Sequence, residues 1–313
     1  MNSTGTKKRG VGVWIVLAIV FVSAIAFSSG YYMGKIAGEN SAGITVIDDY
    51  GRTIEIMGAP ERIVTVSPTP TEIIFAIGAG DLVVGVDDYS DYPAQAANLT
   101  KVGNIELNVE VILGLRPNLI LSSDLVPLAQ LQQLEDNGIP YVILAARTID
   151  DVFKDIRLVG FITGHIADAN ALVDQLQQRV DAVKAKTLAE NVTKPRVYVE
   201  FYPMWTYGPD SFGDDLIRLA GGTNVAANAS AEYAAVADEF IIAQNPEVVV
   251  YTVGSNYDGT TPDTIASRPG WTNISAVVNE KMYAIDDNLI SRYGPRIIDA
   301  LEQLAALVHP ELF

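Results

Sequence analysis

Two stretches of this chain read alike. Glu110 to Leu121 is EVILGLRPNLIL, and Glu239 to Val250 is EFIIAQNPEVVV. In each, a glutamate opens an apolar helical turn, a proline follows seven residues on, and a buried-strand run comes next. A helix feeding a strand, once in each half, predicts two related α/β lobes with mostly parallel sheets. The unbroken apolar runs IPYVIL (139–144) and VVVYTV (248–253) fit such sheets, because parallel strands are covered on both faces.

Between the halves lies a proline-free stretch from His165 to Asn191. Ala169, Val173, Leu176, Val180 and Val183 recur at alternating steps of four and three, the spacing of one helix face. At about 1.5 Å per residue this helix would span roughly 37 Å. It is expected to be a rigid strut between the lobes; an amphipathic helix inside one lobe is the alternative. The expected class is therefore α/β, two lobes with central mostly parallel sheets joined by one long α-helix.

Val11 to Tyr32 carries no charge and follows Lys7, Lys8 and Arg9. Such a run is long enough to cross a bilayer, with its basic flank inside the cell. The expected order is a cytoplasmic N-terminus (1–10), a transmembrane anchor (11–33), a linker (34–43), the first lobe (44–164), the connecting helix (165–191) and the second lobe (192–313). Ala24-Ile25-Ala26 also fits a signal-peptide cleavage site. The chain's net charge is −17, and because residues 1–43 hold four cations against Glu39, residues 44–313 stand near −20. That body is a poor partner for nucleic acid. The chain has no cysteine, which excludes a lipidated N-terminal cysteine, disulfides and thiolate sites.

In the first lobe, Ile44 to Met57 reads as a hairpin around Asp48-Asp49-Tyr50-Gly51. The strand Arg62 to Val66 runs into SPTPTEIIFAIGAGD, where Thr69 is expected as N-cap, Pro70 as first helical residue and Glu72 as capping-box partner. A strand delivering a helix N-terminus is how open α/β sheets build ligand sites, so Thr69 is a candidate contact; a capped helix with no ligand is the alternative. Leu82 to Val86 is a strand ending in Asp87-Asp88-Tyr89-Ser90-Asp91-Tyr92-Pro93. Its aspartates match no calcium-loop spacing, and no metal is expected.

In the second lobe, Arg196 to Phe201 is a strand, and Asp210 or Ser211 caps the helix that follows. The last helix is opened by Pro295. Tyr89, Tyr92, Trp205, Tyr207, Tyr233 and Tyr293 all fall in inferred loops. Six aromatics at segment ends, shared between lobes, point to a wide cleft for a large flat or amphipathic ligand. Catalysis finds little support: His165 and His309 sit at helix ends, and no GxSxG, phosphate loop or zinc spacing is present. An extracellular enzyme is the remote alternative. Glu110 and Glu239 head their helices, where the dipole favours a carboxylate by about 0.3–1 kcal/mol.

The segments RIVTVSPTPTEIIFAIGAGDLVVGV, DYSDYPAQ, NVEVILGLRPNLIL, AGGTNVA, RPGW and YGPRIIDALEQLA occur in this order. Over residues 60–313 they resemble the class III periplasmic binding proteins of ABC importers, the iron–siderophore and cobalamin family, most closely its cobalamin branch. The resemblance implies a non-enzymatic, monomeric receptor with no cofactor, whose transported ligand is cobalamin or a related corrinoid. The alternative within the family is an Fe(III)-siderophore or haem; haem would draw on a cleft tyrosine, since no cleft histidine is available. It implies stacking of the corrin on Tyr89, Trp205 and Tyr233. Asn104 stands where the branch often has a tryptophan, and Arg292 matches an arginine common to several branches. Glu110 and Glu239 resemble the pair that meets permease arginines, which makes an ABC permease with its ATPase the partner. The apolar anchor would replace the lipidated cysteine of related proteins.

Overall fold

The structure, a computed structural model, describes residues 43–254 and 259–313. The expected anchor at 11–33 and its flanks lie outside them. Among the described residues no helix is long and apolar enough to cross a membrane.

Strands β1 (Ile44–Ile47) and β2 (Thr53–Ile56) form an antiparallel hairpin. Asp48 makes the turn: its Oδ1 accepts from the backbone N–H of Tyr50 at 3.1 Å and of Arg52 at 3.0 Å, and Gly51 supplies the positive φ of 73°. The first sheet follows, with β3 (Ile63–Thr65), β4 (Val83–Val86), β5 (Thr100–Lys101), β6 (Leu119–Ser123) and β7 (Tyr141–Leu144). Its order is β5-β4-β3-β6-β7 and every pairing is parallel. The chain leaves β3 in one direction and returns to its other side, so a crevice opens at the carboxyl ends of β3, β4 and β6.

The second sheet contains β8 (Arg196–Tyr202), β9 (Trp205–Tyr207), β10 (Thr223–Asn224), β11 (Tyr233–Ala235), β12 (Val248–Val253) and β13 (Met282–Asp286). Strands β8, β12, β13 and β10 are parallel, but β9 runs antiparallel to its two neighbours, β8 and β11. The sheet is therefore mixed rather than uniformly parallel. Tyr202 pairs with Trp205, which leaves only Pro203 and Met204 to turn the chain.

The internal repeat has a common geometry. Val109–Leu115 and Asp238–Gln244 are seven-residue helices. Each ends on a left-handed residue, Arg116 (φ 49°) or Asn245 (φ 47°), ahead of its proline and its strand.

The connecting helix is Ile166–Thr187, with His165 at its N-cap. Ala169, Val173, Leu176, Val180 and Val183 are all buried. Gly164 (φ 77°) closes the preceding helix, Ile149–Thr163, so the two are separate rods joined at a corner. A Cβ on Gly160 would come within 2.3 Å of Ala169 Cβ, which shows how closely the rods approach. The closing helix, Ile297–Val308, also packs on the connecting helix, and Arg179 reaches Asp299 at 2.5 Å and Glu302 at 2.6 Å. One apolar core runs through Ile156, Val159, Val173, Leu176, Leu301 and Leu304 and continues under both sheets.

Two helix starts differ from expectation. The helix Pro68–Ala76 has Ser67 at its N-cap and Pro68 at its first position, not Thr69 and Pro70. Either proline could fill a first position, because its fixed φ suits it and its missing N–H is not needed there. Thr71 Oγ1 donates to the Ser67 carbonyl at 2.9 Å, which fits the earlier register. Glu72, freed from capping, is buried and engaged elsewhere. The closing helix starts at Ile297, with Arg296 as its N-cap.

Candidate functional site

At the carboxyl end of β4 a hydroxyl network pins the loop. Thr71 Oγ1 lies 2.6 Å from Thr65 Oγ1 and 2.8 Å from Ser90 Oγ. Ser90 also donates to Asp87, which accepts from the Tyr89 N–H at 3.0 Å. Burial raises the Asp87 carboxyl above its ordinary value despite these donors. Lys101 Nζ closes the loop by donating to the carbonyls of Asp87 and Ser90, at 3.1 and 2.7 Å. With its polar groups used internally, the loop leaves the Tyr89 and Tyr92 side chains outside, 51% and 46% exposed. Leu125, just past β6, is 73% exposed.

Across the junction the turn between β8 and β9 is held from below. Buried Glu200 accepts both arms of Arg268 at 2.6 Å, the Tyr198 hydroxyl at 2.9 Å and the Met204 N–H at 3.3 Å. Trp205 and Tyr202 project from this fixed turn, 40% and 51% exposed.

Tyr207 is the correction among the candidates. It lies in β9, not a loop, and is 2% exposed. Its ring sits 4.9 Å from Phe201, and a Cβ on Gly213 would collide with it, so the start of the next helix roofs it over. Trp205 and Tyr233 are likewise in short strands rather than loops. Tyr233 pairs with Tyr207 in register, and its hydroxyl lies 3.1 Å from that of Tyr293. Tyr293 stacks on Phe212 with centroids 4.2 Å apart. Burial, then the neighbouring Tyr207 and Tyr233, push the Tyr293 phenol well above its ordinary value, so it stays protonated.

Arginines join the two halves. Glu72 accepts from Arg296 at 2.5 and 2.9 Å and lies 3.5 Å from Arg292. Arg292 also donates to Asp91 at 2.6 Å and to Asn288 at 2.6 Å. Burial works against the Asp91 charge, but the Arg292 hydrogen bond and charge outweigh it and hold the carboxyl below its ordinary value. The Arg296 guanidinium lies over the Tyr92 ring at 3.9 Å. Arg147, beyond β7, reaches Asp124 at 3.3 Å and Glu232 at 3.1 Å. Thr69 is half-buried in the first helical turn, and its carbonyl faces Gly294.

The junction thus gathers Thr69, Tyr92, Tyr233, Arg292 and Tyr293, with Tyr89 and Trp205 exposed at the carboxyl edges. Asn104 is exposed beyond β5, its Oδ1 accepting the Glu106 N–H at 3.3 Å. Sequence reasoning missed Leu125, Tyr202, Arg147 and Arg296. Arg147 had one visible signal: a cation directly after a buried parallel strand, where open sheets place ligand residues. Among the described residues no group of three or more potential ligands could hold a metal. His165 Nδ1 lies 3.0 Å from the Thr163 carbonyl, and His309 Nε2 3.2 Å from that of Gly221.

A family model for periplasmic binding proteins matches residues 63–289. The chain belongs to that family. It is a substrate-binding protein of the ABC-importer kind and not an enzyme. It is 30% identical over an alignment of 318 residues to the uncharacterized ABC transporter substrate-binding lipoprotein YvrC of Bacillus subtilis, covering 98% of this chain and 99% of the relative. It is also 30% identical over 273 residues to the cobalamin-binding protein of Halobacterium salinarum, covering 85% of this chain and 74% of the relative. Among solved structures, the periplasmic haem-binding protein RhuT of Roseiflexus sp. RS-1 aligns with a TM-score of 0.72 and 28% identity, covering 82% and 100% of the two chains. Proteins of this binding-protein family carry transported ligands rather than cofactors.

Proposed function

We propose that this chain is the membrane-tethered, extracellular receptor of an ABC importer, and that it captures cobalamin or a related corrinoid for delivery to the permease. The observation that carries this reading is the set of large apolar side chains left exposed on both sides of the junction: Tyr89, Tyr92 and Leu125 from one half, Tyr202 and Trp205 from the other. Large apolar side chains left exposed together are a sign of a binding site. Exposed aromatic rings carried by both halves suit a macrocycle with two broad faces. The relative named a cobalamin-binding protein supports the same ligand. Haem fits less well, because its iron needs a side-chain ligand. Both histidines of the chain are occupied at helix ends, so that ligand would have to be a junction tyrosine. An Fe(III)-siderophore is the second reading, favoured by the same exposed aromatics.

In this reading Tyr89, Tyr92, Trp205, Tyr233 and Arg292 contact the ligand, with Thr69 and Tyr293 at its edge and Asn104 on the rim. Tyr207 acts only by supporting Tyr233. Glu110 and Glu239, both exposed and both second in their helices, meet arginines of the permease. The tether is the apolar segment 11–33, a different anchor from that of the lipoprotein relative, since this chain has no cysteine. The receptor acts as a monomer.

Calorimetric titration of the full-length chain in detergent tests the ligand. Cyanocobalamin should bind saturably, one per chain, and quench tryptophan fluorescence after inner-filter correction. Tight binding of ferric hydroxamates with no response to cyanocobalamin would establish the siderophore reading instead.

A further inference from the structure

The charges at the lobe junction bear on what the ligand can carry. Three guanidiniums stand there, and each is already matched by carboxylates of the protein. Arg147 holds Asp124 and Glu232, Arg292 holds Asp91 and Glu72, and Arg296 holds Glu72. Four carboxylates therefore face three guanidiniums. Lys101 is spent on two backbone carbonyls. The helix Pro68–Ala76 points its N-terminus at the same region, yet Pro68 and Pro70 have no N–H, and the Thr71 N–H is turned to Ser67 at 3.4 Å. The usual device for holding an anion at a helix start is thus largely removed.

We infer that this site takes a neutral ligand decorated with amides and rejects one decorated with carboxylates, because among the described residues the junction holds no uncommitted cation to receive an anion. The inference rests on the proposed binding site and specifies its substrate class. A ligand carboxylate would have to displace Asp91, Asp124 or Glu232 from an arginine and then lie beside the displaced group, like charge against like. A primary amide meets no such conflict. Its NH₂ donates to the spare lone pairs of a paired carboxylate, and its oxygen accepts from a spare guanidinium N–H. The Arg–carboxylate pairs stay intact, so the floor acts as a mixed donor and acceptor surface. Asp91 and Glu232 are the groups through which this surface is reached, since both remain partly open to solvent.

The test uses one ring with two charge states. The full-length chain in detergent is titrated with dicyanocobyrinic acid, whose periphery carries carboxylates, and with its heptaamide. The heptaamide should bind at least tenfold tighter at low salt, and added salt should narrow that ratio. The double variant Asp124→Asn, Glu232→Gln, checked for folding by circular dichroism, should bind the acid more tightly and reduce the ratio severalfold. Equal or tighter binding of the acid by the native chain overturns the inference, as does a folded double variant with an unchanged ratio. A parallel pair separates this from the corrinoid reading: ferrichrome, a neutral trishydroxamate, and a trianionic ferric triscatecholate. If neither corrin binds and ferrichrome exceeds the catecholate tenfold, the charge rule stands and the corrinoid reading falls. The reverse order in the iron pair overturns the charge rule, and a chain that binds none of the four overturns both.

Discussion

Trp205 and Tyr207 stand two residues apart on one short strand, and by the two-residue period both lie on the same face. Their burial nevertheless differs. Trp205 adjoins the open turn at Pro203 and Met204, whereas Tyr207 is covered by Phe201 and by the helix that begins at Phe212. Substitution should separate the two roles. Trp205→Ala and Tyr233→Ala should each weaken cyanocobalamin binding by about 1–3 kcal/mol, the scale of an aromatic anchor, as read by calorimetric titration. Tyr207→Ala should instead cost about 3–5 kcal/mol of folding stability, because it opens a cavity in a packed core; denaturant unfolding measures it. An affinity loss at Trp205 no larger than at an exposed residue far from the junction would show that its ring is not at the ligand.

At the scale of elements, the two repeat helices carry a prediction about the partner. Asn108 caps the first by accepting the Val111 N–H at 3.1 Å, whereas Ala237 gives the second no side-chain cap. Glu110 and Glu239 occupy the same second position in both. If they serve only the helix dipole, removing either charge changes stability by a fraction of a kcal/mol. If they meet permease arginines, Glu110→Arg together with Glu239→Arg should leave ligand affinity intact and abolish uptake into vesicles carrying the permease, since like charges would then meet at each contact. A second prediction belongs to the helix Ile149–Thr163. Asp155 is fully buried on it beside the Asp49 carboxyl, and among the described residues no donor reaches either of its oxygens, so its own proton is what bonds it to Asp49. Burial, then the nearby Asp49 charge, raises its carboxyl well above the ordinary 3.8. The folded chain therefore keeps a proton that the unfolded chain releases, and the associated stability, complete below pH 3.8, declines as pH rises toward the folded value. Asp155→Asn should raise the urea midpoint at pH 7 and flatten this decline, whose slope one proton limits to about 1.4 kcal/mol per pH unit.

On the scale of the molecule, the long helix is not the sole link between the halves. Glu72 binds two arginines from the far end of the chain, Arg147 reaches Glu232, and the Ile149 N–H donates to Asp215 at 3.1 Å. A single apolar core continues from one sheet to the other. Hinge bending needs a few segments that can absorb large backbone changes without breaking contacts, and these ties work against it. Small-angle scattering with and without bound ligand should accordingly give nearly the same radius of gyration. A large decrease on binding would show that the Glu72 cluster opens and that closure is part of capture.

The repeat, the periodic helix and the Asp48 turn were legible in the sequence because each depends on neighbours a few residues away: an i, i+4 spacing, a side chain reaching the next turn, a glycine at a positive φ. The start of Pro68–Ala76 was not, because two prolines offered two registers and only the packed chain chose between them. Burial of Tyr207 was hidden for a related reason, since its roof comes from another element and leaves no period. The same holds for the site itself. Glu72 and Arg296 are 224 residues apart, Arg147 and Glu232 lie on loops beside strands of different sheets, and no local pattern links either pair. Local spacing therefore determined which elements form, while burial and charge pairing across the junction decided which of their side chains remain free to meet a ligand.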